Sequence, residues 1–302
     1  MDAPALHPEH ARNPERHGVK KGLYLIPSVF TAANIGMGFY AVMAAARGFQ
    51  FVGTGVSQDL VRASAYLDNA AVAIGWAVLF DMLDGRIARI TKTTTEIGVQ
   101  LDSIADVVTF GLAPAVLAYV WGYGATLGEG SDLHRLAWFL SFMYLMCGAF
   151  RLARFNVQSS RPRILAEGTI KVDKKSFVGL PIPGAACLIA AIIHFSPLPL
   201  VSYGPERGRM YSVLLMLLVG FLSVLMVSTL RFSSFKTVGT RRRSMRTIML
   251  VVAVGMLIFL YSRYVLLGIV SLYILHGLLS RVVGLFRKRS DVGDALVQEK
   301  QT

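Results

Sequence analysis

The chain has 302 residues, of which 54% are hydrophobic and only 16% are charged, and its mean hydropathy is +0.54. A soluble globular domain is usually about 25% charged, so this composition excludes a soluble protein and indicates a helical protein that crosses a membrane several times. The net charge of +13 does not indicate a nucleic-acid partner, because the basic residues collect in alternate loops rather than along one face.

The apolar segments, taken in chain order, predict an all-α bundle of about eight transmembrane helices. They cover roughly residues 24–46, 66–84, 98–121, 134–153, 178–196, 210–230, 247–262 and 264–286. Each segment is near the length that a helix needs to cross about 30 Å of hydrocarbon. The predicted organisation is therefore an N-terminal tail over residues 1–21, one transmembrane domain over 22–286 and a C-terminal tail over 287–302.

The basic residues set the expected orientation of these helices. With eight helices and both termini in the cytoplasm, 25 of the 31 Lys and Arg residues lie on the cytoplasmic side. This distribution obeys the positive-inside rule. It predicts a multi-pass protein of the cytoplasmic membrane, with basic loops that contact anionic lipid headgroups.

Four aspartates interrupt the second and third apolar segments near their cytoplasmic ends: Asp81, Asp84, Asp102 and Asp106. Carboxylates within a bilayer are costly and rare, and they are usually functional. Asp81 and Asp84 are three residues apart, and Asp102 and Asp106 are four apart, so each pair lies on one face of a helix. Because a short connection joins the two helices, the four carboxylates can converge between them.

Converging carboxylates repel one another in a low dielectric, and bound cations would relieve that repulsion. Hard divalent ions such as Mg²⁺, Mn²⁺ or Ca²⁺ take oxygen ligands, and two such ions suit displacement at phosphorus. Gly85 and Gly98 would allow a nucleotide or a facing backbone to approach, and Arg89 could pair with a phosphate. The alternative is a polar seam between helices, but the four acids outnumber the two nearby arginines.

Residues 81–106 follow the pattern D-x2-D-G-x2-A-R-x8-G-x3-D-x3-D. This pattern resembles the signature of the CDP-alcohol phosphatidyltransferases, and every fixed position is filled. The resemblance implies a membrane bundle, usually a homodimer, with a polar cavity facing the cytoplasm and two divalent ions held by the four aspartates. It also implies that Asp106 is the general base. It places the CDP group against Thr31, Asn34, Asp84, Gly85, Ala88, Arg89 and Gly98.

Other segments predict the acceptor alcohol. Residues 27–39, 91–96, 147–156, 177–183, 226–228 and 234–236 resemble the serine-using branch of the family, although Ser28 stands where relatives commonly have Asn. The resemblance implies CDP-diacylglycerol and L-serine as substrates. Arg151 and Arg154 lie on one helical face and could bind the serine carboxylate or the lipid diphosphate. Their alternative role is anchoring at the membrane surface.

Two other functions are compatible with the sequence. The same chemistry could use choline, glycerol 3-phosphate or inositol phosphate as the acceptor. From a different class, the chain could be a cation transporter whose aspartates bind the transported ion. The transporter is less favoured because the acids lie at one depth rather than along a path to both faces. The loop 157–176 could cover the site, and His194 and His276 are expected to be interfacial or packed rather than catalytic.

Overall fold

The computed structural model describes residues 15–53, 56–91, 96–160, 176–228, 231–233, 256–258 and 260–279. Its helices are α1 (Glu15–Val52), α2 (Ser57–Thr91), α3 (Glu96–Asp106), α4 (Ala113–Ala118), α5 (Asp132–Ser160), α6 (Ile182–Phe195), α7 (Pro205–Val227) and α8 (Leu260–Leu279). Two π-helical segments, Val107–Leu112 and Tyr119–Tyr123, join α3 and α4 into one continuous helical rod, and a 3-10 turn covers Leu200–Tyr203. Two short strands, β1 (Ser176–Val178) and β2 (Arg231–Ser233), pair in antiparallel fashion, with Phe177 opposite Phe232.

The predicted polytopic helical fold is confirmed. Within the described residues, six helical segments are long and apolar enough to cross a membrane: Val29–Val52, Ser57–Ile87, Ile97–Tyr123, Asp132–Val157, Pro205–Val227 and Leu260–Leu279. The predicted segment 247–262 lies mostly outside the described residues. Helix α1 begins at Glu15, inside the segment that the sequence assigned to the N-terminal tail.

The fifth predicted segment, residues 178–196, is shorter than a full span. Helix α6 has 14 residues, which corresponds to about 21 Å at 1.5 Å per residue. Gly179 has a φ of 82° and Pro181 is extended, so the helix cannot begin before Ile182. The Leu180 amide donates to the carbonyl of Leu225 at 3.1 Å, which ties the start of α6 to the end of α7.

Small residues bring α1 and α2 close together. The two helices contact each other extensively as an antiparallel pair, and Ala41 and Ala45 on α1, like Ala63 and Ala70 on α2, are buried. Small side chains allow membrane helices to approach closely enough for polar side chains to bond across the interface. This approach places the N-terminal half of α1 against the acidic part of α2, where Thr31 contacts Asp84.

The first π-helical segment begins directly after Asp106. Thr109, in this segment, is buried, and its hydroxyl donates to the carbonyl of Asn34 on α1 at 3.1 Å. The Cα of Gly38 lies so close to Thr109 that an added Cβ would be 2.8 Å from the Thr109 Cα. The widened turn therefore fixes α3 against α1 beside the acidic residues, and π-helical turns are frequent at functional sites.

Candidate active site

Three of the four aspartates converge. Carboxylate oxygens of Asp81 on α2 and of Asp102 and Asp106 on α3 all lie within 4.8 Å of one another. All three residues are partly buried, and none of them forms an ion pair within the described part of the chain. Oδ1 of Asp106 is buried and has no hydrogen-bond partner among the described residues. The group therefore places three carboxylates close together without a direct ion pair among the described residues.

Asp84 is not part of this group of three, although it is close enough to interact electrostatically with Asp81 and Asp102. It is only 6% exposed, and its Oδ2 accepts a hydrogen bond of 2.5 Å from the Thr31 hydroxyl on α1. Its Oδ1 has no partner in the described structure. Thr31 thus directs one oxygen of Asp84 toward α1 and leaves the other available to a ligand.

Asn34 lies one helical turn after Thr31 and is also buried, with 1% of its surface exposed. Neither Nδ2 nor Oδ1 of its side-chain amide has a hydrogen-bond partner among the residues that are described. A buried polar group without a partner costs about 1–3 kcal/mol, so Asn34 is a strong candidate for contact with a polar ligand. The structure therefore joins Thr31 to Asp84 and places the buried Asn34 three residues after Thr31 on α1.

The two predicted arginines differ in their surroundings. Arg151 on α5 is partly buried and near enough to Asp106 to interact electrostatically, and its Nε has no described hydrogen-bond partner. Arg154, in contrast, donates to the carbonyl of Val227 at the end of α7 at 3.4 Å. Only Arg151 is placed beside the acidic group, while Arg154 satisfies a carbonyl at a helix C-terminus.

The remaining residues predicted for the nucleotide site lie on α2 and α3. Gly85 lies in α2 one residue after Asp84, and Gly98 lies in the first turn of α3. Ala88 and Arg89 belong to the last turns of α2, and their side chains are outside the described part of the structure.

The sequence did not single out Ser103, which follows Asp102. Its hydroxyl accepts a hydrogen bond of 2.8 Å from the Asn156 side chain on α5 and donates to the Val99 carbonyl. This contact joins α3 to α5 one residue from the acidic group. Ser103 and Asn156 are 53 positions apart, so no local pattern could have indicated the pair.

A bundle of membrane-crossing helices with a cluster of carboxylates near one end is typical of a membrane protein whose intramembrane acids are functional and could bind a cation. The model of the CDP-alcohol phosphatidyltransferase family matches residues 24–204. The chain belongs to the CDP-alcohol phosphatidyltransferase family.

Three curated relatives match between 46% and 85% of the chain. A CDP-diacylglycerol–serine O-phosphatidyltransferase of Helicobacter pylori is 32% identical over 257 residues, which cover 85% of this chain and 91% of that protein. A Bacillus subtilis protein of the same name is 30% identical over 56% of this chain and 77% of its own length. An archaetidylserine synthase of Methanothermobacter thermautotrophicus is 33% identical over 46% of this chain and 52% of its own length.

Proposed function

We propose that this enzyme transfers a phosphatidyl group from CDP-diacylglycerol to L-serine, giving phosphatidylserine and CMP. The observation that carries the proposal is the convergence of Asp81, Asp102 and Asp106 beside the buried pair Thr31 and Asp84. The names of the relatives from Helicobacter pylori and Bacillus subtilis support serine as the acceptor.

The acidic group fits divalent cations. Its ligand atoms are carboxylate oxygens, which Mg²⁺, Mn²⁺ and Ca²⁺ prefer, and the unpartnered oxygens of Asp84 and Asp106 provide further ligand positions. We propose that Asp81, Asp84, Asp102 and Asp106 together hold two such ions. Bound there, the ions would neutralise the diphosphate and the departing phosphate.

The chain's own residues orient the reactants. In the proposed reaction, Asp106 accepts the proton of the serine hydroxyl, and the serine oxygen bonds to the lipid-side phosphorus. The bond from that phosphorus to the bridging oxygen breaks, and CMP leaves. Positioning and electrostatic stabilisation supply most of the acceleration in phosphoryl transfer of this kind.

We assign the nucleotide to the surface formed by Thr31, Asn34 and Asp84. The unpartnered Asn34 amide supports this assignment, since it offers both a donor and an acceptor. Gly85, Ala88, Arg89 and Gly98 complete the surface by the family pattern.

Arg151 is the residue that we assign to the carboxylate of serine. It lies near Asp106, and its unpartnered Nε leaves part of the guanidinium available for a carboxylate. Arg154 is the weaker candidate because it already donates to the α7 carbonyl of Val227.

The proposal includes an orientation and an assembly. The distribution of basic residues supports the cytoplasmic membrane, with both termini and the acidic group on the cytoplasmic side. Residues 1–21 and 287–302 are assigned as tails of one transmembrane domain. The family resemblance supports a homodimer, which cross-linking in native membranes would test.

Release of CMP from CDP-diacylglycerol by the purified protein tests the function. The assay compares L-serine with choline, glycerol 3-phosphate and inositol phosphate, each with and without Mg²⁺ or Mn²⁺. Release that requires both serine and metal supports the proposal. If CMP is released only with another acceptor, the transfer chemistry stands but serine is rejected as the acceptor. If folded protein releases no CMP, the transfer reaction is rejected and cation transport is favoured.

A further inference from the structure

A second polar cluster lies in the membrane domain far from the acidic group. It consists of Asp68 on α2, His194 in the last turn of α6 and Ser262 in α8. Asp68 precedes Asp81 by 13 residues on the same helix, which corresponds to about 20 Å along the helix axis. The proposed phosphatidyl transfer uses none of these residues.

Both ring nitrogens of His194 have partners. Nδ1 lies 2.5 Å from Oδ1 of Asp68, and Nε2 lies 2.9 Å from Oγ of Ser262. With the ring proton on Nδ1 shared with the carboxylate, Nε2 is free to accept the proton of the serine hydroxyl. The sequence favoured a packed histidine because these partners are 126 and 68 positions away and no local spacing reveals them.

The order carboxylate, imidazole and hydroxyl is the arrangement that activates a serine as a nucleophile. Asp68 and His194 are mostly buried, with side-chain exposures of 23% and 12%. A cationic group is also present, since Nη2 of Arg263 lies 3.5 Å from Oδ2 of Asp68. Arg263 directly follows Ser262 in the chain and is half-exposed, and its ion pair with Asp68 helps to hold that carboxylate in place.

An apolar groove leads away from the cluster. A cavity of about 370 Å³ between α2, α6 and α8 has His194 and Ser262 in its wall, and its other lining residues are mostly apolar. A second cavity of about 860 Å³ shares Cys187 and Val270 with the first and extends to Tyr273. Because Ser262 and Tyr273 are eleven residues apart on α8, the groove runs for about 16 Å. Its length and lining fit a hydrocarbon chain.

We propose that Ser262, His194 and Asp68 form a second catalytic site that hydrolyses a carboxylic ester with a long aliphatic acyl chain. Oγ of Ser262 bonds to the carbonyl carbon as Nε2 of His194 takes the hydroxyl proton. The ester C–O bond breaks, and the alcohol leaves with that proton. Water then gives a proton to His194 and bonds to the acyl carbon, and the carboxylic acid leaves as Ser262 regains its proton.

A fluorophosphonate that carries a long alkyl chain tests for the nucleophile. It is applied to the purified full-length protein in detergent, and mass spectrometry locates the adduct. We expect an adduct on Ser262 that is lost in Ser262→Ala and reduced at least about 100-fold in His194→Gln, which keeps a polar side chain but removes the base. Ser196 is the matched control: its hydroxyl contacts Tyr203 at 2.9 Å rather than a histidine, and Ser196→Ala should label like the wild type.

Hydrolysis of p-nitrophenyl esters provides a second measurement. A long-chain ester should be cleaved faster than the acetate, and Ser262→Ala should lose this cleavage while keeping serine-dependent CMP release. The proposal is overturned if Ser262 forms no adduct, or if His194→Gln labels as well as the wild type. It is also overturned if Ser262→Ala loses CMP release together with its folded state, because the cluster would then serve only to join three helices. If the proposed phosphatidyl transfer proved wrong, the labelling of Ser262 would still test the proposed ester hydrolysis separately.

Discussion

Asp84 is held by a hydroxyl from another helix, whereas Asp81, Asp102 and Asp106 lie near one another and form no ion pair among the described residues. These two situations predict different effects of mutation. Removing a carboxylate from the group of three removes a proposed ligand or base. Removing the Thr31 hydroxyl leaves the negative charge of Asp84 in place but no longer fixes the orientation of its carboxylate.

Changing Asp102→Asn or Asp106→Asn should lower CMP release at least about 100-fold, which is about 2.7 kcal/mol in the barrier. The amide keeps the shape but binds a cation poorly and cannot act as a base. Asp59→Asn is the control, since Asp59 forms a surface pair with Arg62 at 3.4 Å and such pairs contribute little. Near-normal turnover in either site variant, measured on monodisperse protein, would reject the proposed roles.

Thr31→Val should reduce kcat/KM for CDP-diacylglycerol about 10-fold, because a buried hydrogen bond to a charged group is worth about 1.5–3 kcal/mol. Thr31→Ser retains the hydroxyl and should recover most of the activity. The comparison separates the hydrogen bond from the volume of the side chain. Equal activity of the valine and serine variants would show that the contact to Asp84 does not orient the substrate.

At the scale of elements, the close contact of α1 with the π-helical segment positions the site. Gly38 is the point of closest approach, since any added Cβ would meet both the backbone and the side chain of Thr109. Gly36, two residues before Gly38 on the same helix, has no such contact within 4 Å. The two glycines therefore provide a matched pair.

Gly38→Ala should lower the thermal unfolding temperature in detergent and reduce activity, because overpacking of a tight interface costs about 1–3 kcal/mol. Gly36→Ala should be neutral or slightly stabilising, since alanine is a better helix former than glycine. Measuring the unfolding temperatures of both variants tests this expected difference in stability. If they change equally, the contact with Thr109 does not determine how α1 meets α3.

At the scale of the whole molecule, bound cations should stabilise the bundle. The group of three carboxylates stores repulsion that a divalent ion would relieve, and a ligand at 100 times its Kd adds about 2.7 kcal/mol of stability. Chelation with EDTA should therefore abolish CMP release and lower the unfolding temperature. Mg²⁺ or Mn²⁺ should restore both, and Asp102→Asn should lose the metal-dependent shift. If the unfolding temperature of the wild type did not change with metal, the proposed cation site would be contradicted.

Orientation can be tested on two exposed positions at opposite ends of the helical rod that contains α3 and α4. Ile97 is 82% exposed at the end that we propose to be cytoplasmic, and Ser131 is exposed in the turn before α5. In a background with Cys147→Ala and Cys187→Ala, a membrane-impermeant maleimide should label Ser131→Cys in intact cells. Ile97→Cys should react only after the membrane is opened. The reverse pattern would invert the proposed topology.

Long apolar runs, motifs and helical spacing are local properties, so the membrane class, the family and the positions of the four aspartates could be predicted from the sequence. It could not determine that α6 is short, since this depends on backbone bonding between Leu180 and Leu225. Nor could it show that Thr31 holds Asp84, that Asn156 reaches Ser103, or that Asp68, His194 and Ser262 meet. These contacts join residues 53 or more positions apart, so only the tertiary arrangement of the helices brings their side chains within bonding distance.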